Sequence, residues 1–220
     1  MPSEVRRPDR IDPWFAALAW WPLLWHGGGA TVAWCMPTQW WAWFIPLWIL
    51  LLPAILCRLS DRCWPVRGTH SAASAAARRW WWQQQLQMPF NRIALIEELM
   101  RLVPGLYQSW LWLWGSRVSL FCVFAPEAVV IDRHLLHIGR AAIIGRGCVL
   151  GGHLVTRGED GWMVRVDVVT VGAGALIGTR AMLSPGSSVA EHEQVTATLP
   201  LPPGHRWEGG RRIKEPTHDG

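Results

Sequence analysis

One histidine stands at a break in a regular repeat, and its residue type suits acid–base chemistry. His153 follows Gly151-Gly152, where a pattern of six-residue units stops and a stretch of loop-like composition begins. An unperturbed imidazole has a pKa of about 6.5, so near pH 7 it can accept a proton from a hydroxyl and return it later. The competing interpretation is a histidine at the edge of a loop whose ring is satisfied by backbone groups.

A carboxylate would be needed to fix the tautomer of such a histidine. Five acidic residues lie near the break, either in the repeat before it or in the segment that follows it: Glu127, Asp132, Glu159, Asp160 and Asp167. The sequence does not select one of them. Two further histidines, His134 and His137, are interpreted as surface residues of the repeat.

The element that must position His153 is a repeat with a period of six. Nine residues share its register, each aliphatic and mostly followed by a small residue: Ile138, Ile144, Leu150, Val171, Ile177, Leu183, Val189, Val195 and Leu201. This period fits neither an amphipathic helix nor an isolated strand. It predicts short strands, three to a coil, whose aliphatic anchors stack into the core of a parallel β-helix.

The register continues upstream through Val118, Phe124 and Val130, with one slip before Ile138. We therefore predict a β-helix domain over residues 116–205. A C-terminal tail is predicted over 206–220.

The N-terminal part of the chain has the composition of a membrane segment. Residues 13–57 contain no Asp, Glu, Lys or Arg, and 16 of the 18 tryptophans lie before position 115. Because about 20 apolar residues span a bilayer core, residues 13–57 are predicted to form a membrane hairpin of two helices after a polar segment, 1–12. A re-entrant or interfacial hairpin stays open, since three glycines and His26 weaken the first helix.

Arginines flank this hairpin on both sides, at positions 6, 7 and 10 and at positions 58, 62 and 67. The positive-inside rule then predicts both ends in the cytosol, at the cytoplasmic membrane. Residues 58–115 are predicted as Trp-rich connecting helices, either on the membrane surface or packed on the first coil. In one of them Glu97, Glu98 and Arg101 are expected to form the solvent-facing side.

Charge and cysteine content exclude two classes of protein. The net charge is +5, but the arginines are scattered or flank the apolar segment, which argues against nucleic-acid binding. Five cysteines without CxxC spacing predict reduced thiols and no metal site.

The motifs around the break resemble those of the hexapeptide-repeat acyltransferases. Gly-Gly-His ending at His153, an inserted segment, then Val-Gly at Val171, Ile-Gly at Ile177 and Leu-Ser-Pro-Gly ending at Gly186 are similar to the galactoside and maltose acetyltransferase branch. With its apolar hairpin and Trp-rich join, the whole chain also resembles the membrane-attached tails of polylysine-synthetase-type peptide synthetases.

The resemblance implies a homotrimer of left-handed β-helices, with acetyl-CoA or another acyl-CoA bound between coils of two subunits. His153 matches the general base of the family. The positions implied for binding acyl-CoA are Gly172, Ala175, Gly178, Thr179, Ser184, Gly186, Gly209, Arg211 and Arg212. Two of these regions depart from the family pattern, because Ala175 stands where Trp is common and the C-terminal turn has lost its usual Gly-x-Pro-Ala.

These features suggest three functions to compare. The first is a membrane-attached acyltransferase that moves an acyl group to a hydroxyl or amine of an amphiphilic acceptor, such as a lipid-linked sugar or a peptide intermediate. The second is a non-catalytic trimeric scaffold for a membrane complex. The third, a γ-type carbonic anhydrase, needs three histidines on zinc, whereas only His153 is well placed.

Overall fold

A helical N-terminal half precedes a coil of short strands in the computed structural model, which describes residues 13–158 and 161–214. The helical half contains seven α-helices and one strand within that range: α1 (Pro13–Ala19), α2 (Trp21–Cys35), α3 (Trp41–Pro46), α4 (Leu52–Cys63), β1 (Gly68–Ser71), α5 (Ala75–Arg92), α6 (Ala94–Arg101) and α7 (Leu106–Trp114).

The second half is a coil of three strands per turn, as the period of six predicts. Coil 1 contains β2 (Arg117–Val118), β3 (Val123–Phe124) and β4 (Val129–Val130), and coil 2 contains β5 (Leu136–Ile138), β6 (Ile143–Ile144) and β7 (Val149–Leu150). Coil 3 contains β10 (Val169–Val171), β11 (Leu176–Ile177) and β12 (Met182–Leu183), and coil 4 contains β13 (Ser188–Val189), β14 (Gln194–Val195) and β15 (Pro200–Leu201).

Parallel pairing between successive coils forms three sheets. The first contains β2, β5, β10 and β13, the second β3, β6, β11 and β14, and the third β4, β7, β12 and β15. The aliphatic anchors pair in register, for example Val130 with Leu150 and Leu150 with Leu183, and their side chains are buried. The predicted coil of parallel strands is therefore confirmed.

The glycines after the anchors are required by coil stacking. A Cβ atom at Gly172 would lie 2.6 Å from the backbone nitrogen of Glu191, and one at Gly178 would lie 2.5 Å from that of Ala197. Both distances are shorter than any real Cβ contact. The small residue in each unit therefore leaves room for the backbone of the next coil.

The coil continues beyond the last predicted anchor. Trp207 follows Leu201 by six residues, pairs with Val189 and buries its ring at the end of the core. It lies in β16 (His205–Glu208), which a turn joins to the antiparallel β17 (Arg211–Lys214). Residues 206–214, predicted as a tail, are therefore mostly strand, and 215–220 lie outside the described residues.

The segment predicted as a loop between His153 and Asp167 forms a β-hairpin. β8 (His153–Gly158) pairs antiparallel with β9 (Gly161–Val166), and β1 extends this sheet on the other side of β9. Positions 159 and 160 lie outside the described residues. The extruded segment is thus a three-stranded sheet attached to the coil.

The apolar N-terminal segment differs from the predicted pair of spanning helices. Its first run divides at Trp20, and α2, with Pro22 in its first turn, has only 15 residues, or about 22 Å. One helical segment in the described part of the chain is long and apolar enough to cross a bilayer: Thr38–Cys63, whose most apolar 18-residue stretch has a mean hydropathy of 2.0. A spanning hairpin of two helices is therefore not confirmed.

The two apolar runs nevertheless pack against each other. Trp25 and Trp48 stack with ring centroids 4.4 Å apart, and each indole N–H donates to the carbonyl of the other residue. A Cβ atom at Gly29 would lie 2.2 Å from Nε1 of Trp48. This member of the glycine run therefore allows close helix packing.

Helix α7 lies against coil 1. Its Tyr107 ring packs edge-on against Phe124 at 5.1 Å, and Gln108 donates to the carbonyl of Cys122 at 2.9 Å. The indole of Trp112 donates to the carbonyl of Val118. These contacts cover the open first turn of the β-helix core.

Candidate active site

Two irregularities of the repeat lie at the same corner of the coil. Eight residues instead of six separate Val130 from Ile138, and the hairpin separates Leu150 from Val171. Both insertions connect the third sheet to the first, in successive coils. They are therefore stacked on each other, and we call this region the site corner, residues 131–135 and 151–168.

The site corner brings His153 onto Asp132. The Nδ1 atom lies 2.9 Å from each carboxylate oxygen of Asp132, which is fully buried. The carboxylate also accepts the backbone N–H of Gly152 at 2.7 Å and an amide N–H of Gln84. An ionised carboxylate only accepts hydrogen bonds, so Nδ1 of His153 carries a proton, and in the neutral form of the ring Nε2 presents a lone pair.

The pKa of Asp132 is set by two opposing effects. Burial raises the pKa of its carboxyl, but the hydrogen bond and charge of His153, the charge of His134 and the amide of Gln84 together lower it below the ordinary value. Asp132 therefore stays ionised near neutral pH and can stabilise a positive charge on the imidazole.

The other ring nitrogen of His153 is available to a substrate. None of the described residues forms a hydrogen bond with Nε2, and 20% of the side chain is exposed. The indole of Trp80 packs against the imidazole with ring centroids 5.0 Å apart. The ring is therefore held by a carboxylate on one nitrogen and an aromatic face, and its free nitrogen can act as a general base.

Helix α5 also contributes residues to the site. The sequence-based predictions did not include this helix. Trp80, Gln84 and Gln87 recur at intervals of four and three, so they share one helix face. Gln87 accepts the backbone N–H of Arg133 at 2.6 Å, and its amide nitrogen lies 3.3 Å from Nδ1 of His134. The helical spacing of these three residues was the available signal, because it predicts that they lie on one side of the helix.

His134 is buried, contrary to the predicted surface position. Burial lowers the pKa of its imidazole, and the nearby positive charge of Arg67 contributes in the same direction, whereas Asp132 and Asp61 oppose it. Its Nε2 atom has no hydrogen-bond partner among the described residues. The ring is therefore neutral at pH 7.

A buried ion pair fixes the residue between Asp132 and His134. The guanidinium of Arg133 contacts Oε1 of Glu97 at 2.5 Å and donates to Oδ1 of Asn91 at 2.7 Å. Oε2 of Glu97 accepts the hydroxyl of Tyr107 at 3.0 Å. This network joins the site corner to α6 and α7.

The other two acidic candidates that the structure describes, Glu127 and Asp167, form no hydrogen bond with His153. Glu127 is exposed and forms an ion pair with Arg146 at 2.5 Å. Asp167 accepts the backbone N–H of Val168 at 2.8 Å. The other two, Glu159 and Asp160, lie outside the described residues. Asp132 could have been identified from the sequence, because in-register stacking of Val130 on Leu150 places residue 132 beside residue 152.

The positions implied for acyl-CoA are divided among the corners of one chain. Ser184 follows the strand stacked on β7, so it and Gly186 lie near the site corner. Gly172 and Gly178 face the next coil at the other two corners, and Ala175 is fully buried, so its side chain cannot contact a ligand. Thr179 is exposed, away from the site corner.

The C-terminal positions implied for acyl-CoA lie in the turn between β16 and β17 and at the start of β17. The backbone N–H groups of Gly209 and Gly210 donate to the carboxylate of Glu193 at 2.8 and 3.1 Å. Arg211 and Arg212 are exposed on β17. The first-sheet strands β10, β13 and β16 separate that strand from β5 of coil 2, which places β17 four strand spacings, about 19 Å, from coil 2.

Comparisons with known proteins give distant similarities of fold. No family model and no curated protein matches the sequence. Solved structures similar to this chain include a hexapeptide-repeat-containing acetyltransferase from Vibrio cholerae (TM-score 0.36, 12% identity, 57% of this chain and 90% of that chain). They also include a maltose O-acetyltransferase from Clostridium difficile 630 (TM-score 0.33, 14% identity, 67% and 92%) and serine acetyltransferase isoform 3 from Entamoeba histolytica (TM-score 0.22, 10% identity, 72% and 59%). At these scores the similarities do not assign a family or an activity.

Proposed function

We propose that this protein is a membrane-attached acyltransferase that moves an acetyl or other acyl group from acyl-CoA to a hydroxyl or amine of an amphiphilic acceptor. The observation that carries the proposal is the pairing of His153 with the buried carboxylate of Asp132. It leaves the other imidazole nitrogen, Nε2, at the mouth of an inserted hairpin without a hydrogen-bond partner among the described residues. The hexapeptide motifs around that histidine favour acyl transfer over other base-catalysed reactions.

The proposed reaction uses the two nitrogens of His153 differently. Nε2 takes the proton of the acceptor hydroxyl as the oxygen attacks the thioester carbonyl, and Asp132 stabilises the resulting imidazolium through Nδ1. The carbon–sulfur bond then breaks, and Nε2 gives the proton to the departing sulfur. The products are the acylated acceptor and free coenzyme A, and His153 returns to its starting state.

Association into a homotrimer is part of the proposal, since one chain does not bring the implied acyl-CoA residues together. Outward-facing apolar side chains on two sheets support it: Val123 and Ile143 on the second sheet, and Val129 and Met182 on the third. The first sheet instead presents polar side chains such as His137 and Thr170. Two apolar faces and one polar face suit packing of a second and third copy around an axis.

Membrane attachment is supported by the segment Thr38–Cys63. Only 17% of its most apolar stretch is buried, whereas the core helix of a soluble protein is mostly buried. The flanking arginines favour a cytosolic β-helix domain, on the side of the membrane where acyl-CoA is available. A reporter fused to each terminus tests this orientation, and a periplasmic C-terminus contradicts it.

The activity is tested by following the release of coenzyme A thiol from acetyl-CoA with purified full-length protein and membrane extract. The His153→Ala variant is expected to lose at least 100-fold in rate, about the contribution of one general base. The control is His137→Ala, which removes a histidine from the outward face of the first sheet. Equal turnover by His153→Ala and the unmodified protein contradicts the proposal.

Calorimetry with acetyl-CoA separates the enzyme from the scaffold alternative. A binding isotherm that requires the trimer supports an acyltransferase. A folded trimer that gives no heat with acetyl-CoA favours a scaffold.

A further inference from the structure

Helix α6 buries a charged residue and exposes several large apolar side chains, unlike a helix packed in a water-soluble protein. Its Glu97 is 5% exposed, although a charged residue normally faces water. Leu95 and Leu102, at the two ends of the helix, are 65% and 76% exposed, and Ile93 and Leu99 are also exposed. Glu97 and Arg101, predicted on the solvent-facing side of the helix, therefore have buried side chains.

The orientation of α6 is fixed by its buried hydrogen bonds. Glu97 pairs with Arg133, accepts the hydroxyl of Tyr107 and accepts a guanidinium N–H of Arg101 at 3.2 Å. Rotating the helix to hide its leucines would leave Arg133 as an unpaired buried charge, which is strongly destabilising. The exposed leucines are thus a consequence of how α6 is anchored to the site corner.

The exposed side of α6 is continuous with the apolar segment Thr38–Cys63. A groove of about 690 Å³ lies between this segment and helices α6 and α7. One indole crosses it, since Trp110 donates to the carbonyl of Leu50 at 2.9 Å. The lining is aliphatic and aromatic, with residues such as Ile49, Leu99 and Leu113, and Ser109 is its only residue with a hydroxyl, amide or charged side chain.

We infer that the outward side of α6, the start of α7 and this groove form a surface that contacts the acyl chains of one leaflet of a lipid bilayer. The occupant follows from continuity, because one wall of the groove is the segment proposed to enter the membrane. The lining carries no charge that a soluble protein partner could pair with. Lipid acyl chains stabilise the outward-facing leucine side chains, whereas contact with water does not.

This surface orients the active site relative to the membrane. The inference rests on the membrane attachment proposed above and deepens it. Helix α7 covers coil 1, so the capped end of the coil is the membrane-proximal end. His153, which follows the last strand of coil 2, then lies about one strand spacing, ~5 Å, beyond coil 1. We therefore assign the acceptor to amphiphiles whose reactive hydroxyl or amine belongs to the headgroup, beyond the hydrocarbon boundary.

Site-specific fluorescence in vesicles tests the inference. The background is the full chain with Cys35→Ser and Cys63→Ser, since these two cysteines are exposed and Cys57, Cys122 and Cys148 are buried. Leu99→Cys or Leu102→Cys is labelled with an environment-sensitive dye. The protein is then placed in vesicles of phosphatidylethanolamine and phosphatidylglycerol (3:1) that contain lipids spin-labelled on the acyl chain.

Two matched positions make the result decisive. Leu47→Cys, in the apolar segment, reports membrane attachment itself, and Ile213→Cys, an exposed apolar residue on β17, reports the far end of the coil. We expect acyl-chain quenching at 47, 99 and 102 to be several-fold stronger than at 213.

Three outcomes overturn the inference. Quenching at 47 but not at 99 and 102 contradicts the proposed surface and leaves membrane attachment intact. The lack of quenching at all of these positions contradicts attachment as well. Protection of 99 and 102 from both lipid and aqueous quenchers indicates a protein contact, such as a second copy of the chain.

Discussion

Nδ1 of His153 lies 2.9 Å from both carboxylate oxygens of Asp132, although 21 residues separate them in the chain. The two residues belong to neighbouring coils, where stacked insertions bring them together. The geometry of the pair therefore depends on the stacking of the coils as much as on the hairpin.

Replacing Asp132 with Asn removes the charge and changes the preferred tautomer of His153. Because the imidazolium loses its partner, the rate of acetyl-CoA turnover is expected to fall by about 10²- to 10⁴-fold. The measurement is kcat from coenzyme A release. Glu127→Gln is the matched control, since that carboxylate is exposed and pairs with Arg146; a similar kcat for Asp132→Asn and Glu127→Gln would refute the role of Asp132.

Gln84 is expected to act as a positioning residue through Asp132. Gln84→Leu keeps the volume but removes the amide that donates to the carboxylate, so kcat should fall several-fold with KM nearly unchanged. Gln84→Glu should lower kcat further than Gln84→Leu does, because it places a second negative charge against Asp132.

The neighbouring residue provides the control for Gln84. Gln85 is also buried, and its amide nitrogen has no partner in the described part of the chain, so Gln85→Leu should keep the original kcat. Equal losses of kcat in Gln84→Leu and Gln85→Leu, together with equal losses in Tm, would reduce the role of Gln84 to packing of α5.

The buried imidazole of His134 is expected to make stability depend on pH. Its pKa is lowered in the folded protein, so below about pH 6.5 the unfolded chain binds a proton that the folded protein does not. Stability should therefore decrease as the pH falls from 6.5 toward 5, with a limiting slope of about 1.4 kcal/mol per pH unit. Thermal unfolding of the unmodified protein and His134→Gln between pH 5 and 7 measures this, and identical slopes would contradict it.

Alanine substitutions at two adjacent glycines of α2 are expected to have different effects on the Tm. Gly29→Ala places a Cβ atom against the indole of Trp48, so it should separate α2 from the segment Thr38–Cys63 and lower the Tm. Gly28→Ala meets no atom within 4 Å and should leave the Tm unchanged or raise it, since Ala favours helix by about 1 kcal/mol over Gly. Equal effects on Tm in detergent would argue against the observed packing of Trp48.

The repeat of six was readable because it reflects a local constraint. Each unit places one large side chain inward and one small residue at a turn, so the period is written directly in the order of residues. The same rule applied one unit further would have found Trp207, whose ring closes the core. The slip before Ile138 was also visible, but its importance was not, since nothing in an isolated unit says which insertion will lie beside another.

The coil of parallel strands, the apolar N-terminal segment and the candidate His153 could be predicted from the residue order alone, because each is a pattern of neighbouring residues. The packing of the folded chain was needed to show that Asp132 is the partner of His153, that α5 completes the site and that α6 faces outward with its leucines. These features depend on which surfaces meet across the stacked coils and on the buried Glu97–Arg133 pair. Leaving a buried charge without its partner costs more free energy than exposing a leucine side chain. The local sequence pattern of α6 does not show which of the two costs applies.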